Sequence, residues 1–439
     1  MSGRNALLED ALVEAREGYA TRRPASAARH AQAAEVMPGG NTRSVLYHGP
    51  FPFTAEGGEG CRLRDLDGHS YVSMIGEYTA GLFGHSHPAI RAAVLRALDT
   101  GVNLTAHNPF EARFARMVRD RFPALQQLRF TNSGTEANLL ALGCATIATR
   151  RRTILGFQGG YHGGLMTFGL GGPGANPLNV PHPVLLAPYN DLAAAQALAR
   201  AHAGDLAAII LEPMLGSGGC IPAGQGFLEG LRALAEETGA ILIFDEVMTS
   251  RLAPGGLQEA TGVMPDLTTL GKYVGGGMSF GAFGGRADLM AMFDPGRPDA
   301  VAHAGTFNNN TLTMSAGLAA LGEIYTPAVA HAHNARGEAL RAALQAAAGD
   351  LPICVTGRGS MMAFHFMAQA PRDAAEAAAG NQALKELLFL DLLDRGYYIA
   401  RRGMVALSLM VGEAECTGFV EAFADFCEIR GALVREAVG

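Results

Sequence analysis

Three short segments, AAIILEP, AILIFDEV and DLTTLGK, are apolar along most of their length, without alternation of apolar and polar residues. A strand with that pattern is buried on both faces, as in a parallel sheet covered by helices. Ala- and Leu-rich stretches such as FLEGLRALAEETG separate these runs. Upstream, QLRFTNS leads into EANLLALGCATIATR, and TILGFQGG follows. This alternation, from about residue 71 to about residue 325, predicts an α/β domain with a mostly parallel sheet and helices on both sides.

The flanks read differently. Residues 5 to about 20 repeat apolar positions at helical spacing, and the Gly/Pro-rich turn MPGGNTRS follows. Beyond a long helix expected near 314–345, ICVTGRGSMMAFHF and YYIARRGMVALSL predict strands of a smaller α+β domain. The expected organisation is an N-terminal segment 1–70 packing with a small domain 326–439, and a large domain 71–325. With 49% apolar and 17% charged residues in 439, the chain has enough material for such cores. A net charge of -7 without a basic stripe argues against nucleic acid. No run of about 18 apolar residues predicts a membrane span. The six cysteines form no CxxC pair and the first residues have no apolar leader core, which points to a cytoplasmic protein with reduced thiols.

Strand ends are where open α/β sheets bind ligands. Three such ends carry chemistry. Lys272 follows an apolar strand and precedes Gly275-Gly276-Gly277. A desolvated lysine favours the neutral amine that forms a Schiff base, although a lysine snorkelling from a strand end looks similar. Asp245 ends AILIFDEV. A carboxylate there needs a cationic partner, such as a protonated pyridine nitrogen, or else serves as a helix cap. Ser133-Gly134-Thr135 opens a helix, where N–H groups and the helix dipole attract phosphate. The same SGTE run is also a capping box with Glu136.

Weaker candidates surround these. GGYHGG puts Tyr161 and His162 in a turn where a ring can lie on a planar ligand. Glu212 in LEPMLG is a strand-end carboxylate, suited to a ring hydroxyl or to a cap. Thr306 in HAGTFNNN offers a hydroxyl to a phosphate. GLGGPG at 169–174 matches GxGxxG, but Pro173 and Pro177 forbid the helix a dinucleotide site requires. His85 and His87 lack further ligands nearby in sequence, so no metal site is expected.

TNSGTEAN, GGYHGG, LIFDEVMTSR, PDLTTLGKYVGGGMSFGAFGGR and GTFNNNTLTMSAGL together resemble the class III aminotransferases of pyridoxal-5'-phosphate (PLP) fold type I. The branch is that of glutamate-1-semialdehyde aminomutase, and within it the chain is most similar to β-amino-acid transaminases, typified by β-phenylalanine aminotransferase. The resemblance implies a seven-stranded sheet, PLP as cofactor and a homodimer with a shared active site. It implies Lys272 as the Schiff-base lysine, Asp245 on the ring nitrogen, and Ser133, Gly134 and Thr135 on the phosphate. Tyr161 and Val247 would cover the two ring faces, and Thr306 would reach the phosphate of the partner's cofactor.

Three segments depart from the aminomutase pattern: GGNTRSVLY stands where GGVNSPVR is usual, TSRL for TGFR and GTFNNNT for GTxSGNP. The expected reaction is therefore ping-pong transfer from a β-amino acid to an α-keto acid, 2-oxoglutarate or pyruvate, with the aminomutase as runner-up. A PLP-binding regulator is a third possibility, but no helix-turn-helix precedes the domain. A guanidinium fork suits a carboxylate. By resemblance, Arg43 would bind the β-amino acid and Arg402 the keto acid, with Arg401 a competitor for the second role. Tyr78, Tyr47, Phe51 and Phe53 are candidates for an aryl pocket, or for core packing.

Overall fold

The structure, a computed structural model, describes residues 3–169 and 176–438, with side chains from residue 7 onward. Most of the GLGGPG match therefore lies outside the described residues. The chain divides into two compact units: residues 88–335 with 372–377, and residues 1–87, 336–371 and 378–439.

The larger unit is built on seven strands: β1 Gln127–Thr131, β2 Thr153–Phe157, β3 Val184–Ala187, β4 Leu206–Leu211, β5 Ile241–Asp245, β6 Leu267–Gly271 and β7 Gly281–Gly285. Their order is β1-β7-β6-β5-β4-β2-β3. Only β7 runs against its neighbours β6 and β1; the other pairs are parallel. Every residue of β2, β4, β5 and β6 is buried. This is the physical content of the non-alternating runs: both faces of the sheet carry core, Leu155, Ile209 and Leu242 in one cluster and Ile154, Ile210 and Ile243 in the other. Because six strands share one direction, the residues after β1, β2, β4, β5 and β6 emerge along a single edge.

The smaller unit holds a four-stranded sheet, Ala55–Glu59, Arg62–Asp65, Ser70–Ser73 and Tyr397–Tyr398, and a three-stranded one, Ile353–Arg358, Met361–Phe366 and Met404–Ala406. Helices Gly3–Thr21, Gln382–Asp394 and Glu413–Val438 complete it, around a core that includes Leu12, Tyr71, Phe364, Leu388 and Phe423. The expected strand YYIARRGMVALSL is divided between the two sheets, and Arg401 and Arg402 occupy the turn between its halves.

The single helix expected at 314–345 is two. Thr311–Ala319 runs into a π-turn at Ala320–Ile324, and a new helix occupies Pro327–Ala347. Proline disfavours a helical residue before it and lacks the N–H a continuing helix needs, but it suits a first turn. Periodicity alone does not register such a break. No helix among the described residues is long and apolar enough to cross a membrane.

Candidate active site

The sheet edge gathers segments that lie far apart in sequence. Asp245 pairs in register with Thr269 on β6, and Phe244 with Leu211 on β4, so Glu212 follows β4 as Asp245 closes β5. Lys272 follows β6 directly, with φ +55. A left-handed backbone is costly for a residue with a Cβ, and such strain clusters at functional sites. Gly134 opens the helix Gly134–Thr149 after β1, and a Cβ there would come within 2.8 Å of the Val247 methyls. The absence of that carbon lets the helix N-terminus, Val247 and the Gly271–Lys272 strand end pack together.

Asp245 is 3% exposed, and donors surround it. Oδ2 accepts from Asn138 Nδ2 at 2.8 Å and lies 2.8 Å from His162 Nδ1; Oδ1 accepts from Val247 N at 3.0 Å. Asn138 Oδ1 in turn accepts from Thr269 Oγ1 at 2.6 Å. Hydrogen bonds to a charged group contribute about 1.5–3 kcal/mol each and leave a buried carboxylate viable. His162 is buried on Asp245, whereas the adjacent Tyr161 is 41% exposed. Asn138 and Thr269 were missed in the sequence; the signal available was a polar residue inside an apolar helix and a hydroxyl inside a buried strand.

Glu212 is 3% exposed and accepts from Tyr161 N at 3.1 Å and Gly216 N at 3.0 Å. Burial first, and then the Asp245 charge, push its carboxyl up to about 7. Glu246, also buried and raised by burial, accepts from Thr249 Oγ1, Leu257 N and Gln258 N, so it secures the start of the short helix Gly256–Thr261.

Ser133 caps its helix, accepting from Glu136 N at 3.2 Å, while Glu136 accepts from Asn132 N at 2.8 Å. The first-turn N–H groups point out of that end. Asn132 Nδ2 also donates to Asn308 Oδ1 at 2.9 Å, which ties the loop carrying Thr306 to the segment before Ser133. Thr306 itself is exposed, and its loop neighbours His303, Asn308 and Asn309 line a cavity of about 530 Å³ with Arg129, His107 and Glu111.

In the smaller unit, Gly76–Thr79 forms one turn in which all four residues have positive φ. It presents Glu77 to Arg43 as an ion pair, and Tyr78 donates its hydroxyl to Val45 O at 3.1 Å. The Arg402 guanidinium lies 5.0 Å from the Tyr78 ring centre, a cation–π distance. Arg401 instead binds Glu386 at 3.2 Å, which separates the two neighbouring arginines. Of the other aromatic candidates, Phe51 belongs to the core, Phe53 packs on Tyr71 and Tyr398, and Tyr47 is exposed.

The donor set of the larger unit fits PLP. A buried, multiply bonded carboxylate suits a pyridinium nitrogen, and a helix N-terminus with two hydroxyl residues suits a phosphate.

Residues 46–426 match the family model Aminotransferase class-III. The chain is 49% identical to Beta-phenylalanine transaminase of Variovorax paradoxus, over 99% of each chain. It is 41% identical to a Glutamate-1-semialdehyde 2,1-aminomutase of Sorangium cellulosum, over 86% of this chain and 90% of the other. A crystal structure of a β-phenylalanine aminotransferase from Variovorax paradoxus superposes with a TM-score of 0.95 at 50% identity, covering 97% of this chain and 99% of that one. Likeness of sequence and of fold at this level, over nearly every residue, leaves one conclusion: the chain belongs to the class III aminotransferase family and is a PLP-dependent transaminase of fold type I.

Proposed function

We propose that the enzyme transfers the amino group of a β-amino acid such as β-phenylalanine to an α-keto acid, 2-oxoglutarate or pyruvate, in two ping-pong half-reactions. One observation carries this choice: the Glu77–Tyr78 turn holds two arginines, Arg402 over the Tyr78 ring and Arg43 on the Glu77 carboxylate. Two substrates that alternate, each with a carboxylate at a different distance from the reacting carbon, call for two such forks. Arg43 is assigned to the β-amino acid and Arg402 to the keto acid. The nearly half-identical relative named for β-phenylalanine supports the donor.

PLP, when bound, supplies an electron-accepting ring that stabilises the carbanion left by proton loss at the amine-bearing carbon. Lys272 would hold it through Nζ, and the same amine would be the base for the proton at the amine-bearing carbon. Asp245, anchored by Asn138 and His162, would keep the ring nitrogen protonated. Ser133, Gly134 and Thr135 would bind the phosphate, with Val247 and Tyr161 on opposite ring faces and Glu212 and His162 beside them. We further propose a homodimer in which Thr306 reaches the phosphate in the partner. The six cysteines include no CxxC pair, which supports a reducing compartment, the cytoplasm.

The test is a donor panel with purified enzyme: both enantiomers of β-phenylalanine, α-amino acids, simple amines and glutamate-1-semialdehyde, each with and without keto acid. β-Phenylalanine turnover that requires the keto acid is the expected result. Isomerisation of the semialdehyde without any acceptor would instead identify an aminomutase.

A further inference from the structure

Asp245 and Glu212 stand at the ends of adjacent parallel strands, one residue beyond the paired Phe244 and Leu211. Two buried carboxylates so placed repel each other, and one proton shared near them relieves the repulsion. Between them runs the Tyr161–His162 turn, held by both: Tyr161 N donates to Glu212 Oε1, and His162 Nδ1 meets Asp245 Oδ2. The turn has further ties of its own, from His162 N to Met166 O at 2.9 Å and from Asn138 Nδ2 to His162 O at 3.2 Å. His162 Nε2 is buried with no hydrogen-bond partner, so the ring has a single polar attachment, the Asp245 carboxylate.

Glu212 is fixed from three sides. Gly216 N donates to Oε2, and Tyr189 Oη donates to the Glu212 carbonyl at 2.9 Å. A Cβ at Gly216 would come within 2.6 Å of Met248 Sδ and 3.1 Å of Glu212 Oε2, so that N–H reaches the carboxylate only from glycine. The charged or titratable groups that act on Glu212 are Asp245 and His162, and its own charge acts on buried Tyr189.

We infer that Glu212 is a positioning residue for the Asp245–His162 pair: it anchors the turn that carries His162 and, by taking up or releasing a proton, sets how much negative charge lies behind Asp245. With Glu212 protonated, the turn is held by one neutral carboxyl, and Asp245 alone faces the ring nitrogen. With Glu212 ionised, its proton gone to solvent, a second negative charge stands beside Asp245 and strengthens the hold on the ring proton. The electron demand of the ring thus depends on pH through a residue that does not touch the reacting atoms. This presupposes PLP with its ring nitrogen on Asp245, as proposed above, but not which amino acid is the donor.

The experiment has an apoprotein arm and a holoenzyme arm. In the apoprotein, the protonated-carboxyl infrared band and the isotope-labelled imidazole signal that is absent from His162→Gln are followed from about pH 5.5 to about pH 8.5. The imidazole signal should move with the midpoint of the carboxyl band, as a reporter of the turn that Glu212 anchors, and the carboxyl band should disappear in Glu212→Gln. An imidazole signal that does not follow the carboxyl band, or that moves unchanged in Glu212→Gln, would overturn the inference. In the holoenzyme, Glu212→Gln should remove the part of the pH dependence of the cofactor absorbance that shares the carboxyl midpoint and raise the PLP dissociation constant roughly tenfold, while Glu212→Asp restores part of that pH dependence. Should Glu212→Gln not fold, the shared or separate midpoints in the unmodified apoprotein decide alone. Failure of PLP to attach to Lys272 in the unmodified protein would sink the cofactor placement instead, and the apoprotein midpoints would still report on the coupling.

Discussion

Asn138, on the helix that starts at Gly134, donates Nδ2 to Asp245 Oδ2 across 2.8 Å, while its Oδ1 accepts from Thr269 on the strand beside Asp245. One side chain thus connects the helix of the phosphate cradle to the carboxylate assigned to the ring nitrogen. Replacing it by Leu removes a donor from a buried charge, which costs about 1–3 kcal/mol. Asn138→Leu is expected to lower kcat/KM about tenfold or more and to weaken PLP retention on dialysis. Normal retention and normal kinetics would show that Asp245 does not depend on this bond.

The left-handed backbone at Lys272 can be separated from its amine. Lys272→Ala and Lys272→Gly both remove the amine, and neither should transaminate or be labelled by PLP and borohydride. Only glycine adopts φ near +55 without a Cβ penalty. Apo Lys272→Gly is therefore expected to be more stable than apo Lys272→Ala by roughly 0.5–1 kcal/mol in denaturant titrations. Equal stabilities would mean the strain is relieved without ligand.

Gly134→Ala places a methyl carbon within 2.8 Å of the Val247 side chain. Overpacking of that kind costs about 1–3 kcal/mol, felt where the helix N-terminus meets the assigned ring face. PLP affinity should fall, and the double variant Gly134→Ala, Val247→Ala should recover much of it, since the obstructing methyls are then gone. No recovery would place the defect elsewhere.

Arg402→Ala should raise KM for the keto acid by roughly 10- to 100-fold while leaving PLP attachment intact. Arg43→Ala should do the same for 3-amino-3-phenylpropanoate. Arg401→Ala serves as the control, because that side chain binds Glu386, whereas Arg43 and Arg402 meet the Glu77–Tyr78 turn. Crossed effects, with each arginine governing the other substrate, would reverse the two assignments.

Glu212 gives a pH signature in stability. Its carboxyl titrates at about 7 in the folded protein, raised from 4.5 by burial and by Asp245. Across that interval the folded state holds a proton the unfolded chain has released, so stability falls as pH rises from 4.5 through 7. Denaturant titrations of apoprotein should show that decline, and Glu212→Gln should flatten it. An identical slope in the variant would assign the decline to other groups.

The parallel sheet was legible because burial on both faces leaves a mark in one dimension: runs such as AAIILEP and AILIFDEV have no polar face to alternate. The strand-end positions of Asp245, Lys272 and Ser133 followed from the same runs. The break before Pro327 was signalled only by the proline itself, which a reading of the apolar spacing passes over. Nor was the difference between Arg401 and Arg402, adjacent residues of the same type that a turn sends to Glu386 and to Tyr78.

From its sequence alone this chain is an α/β protein with a lysine, a carboxylate and a helix N-terminus after three apolar strands, since burial and capping are short-range consequences of residue order. Which donors surround Asp245, that His162 turns to Asp245 while Tyr161 stays half-exposed, and that Glu212 stands beside Asp245 were decided only when the strands paired. Pairing sets register between segments dozens of residues apart, and the strength of a hydrogen bond or a buried charge depends on distances that only the register fixes.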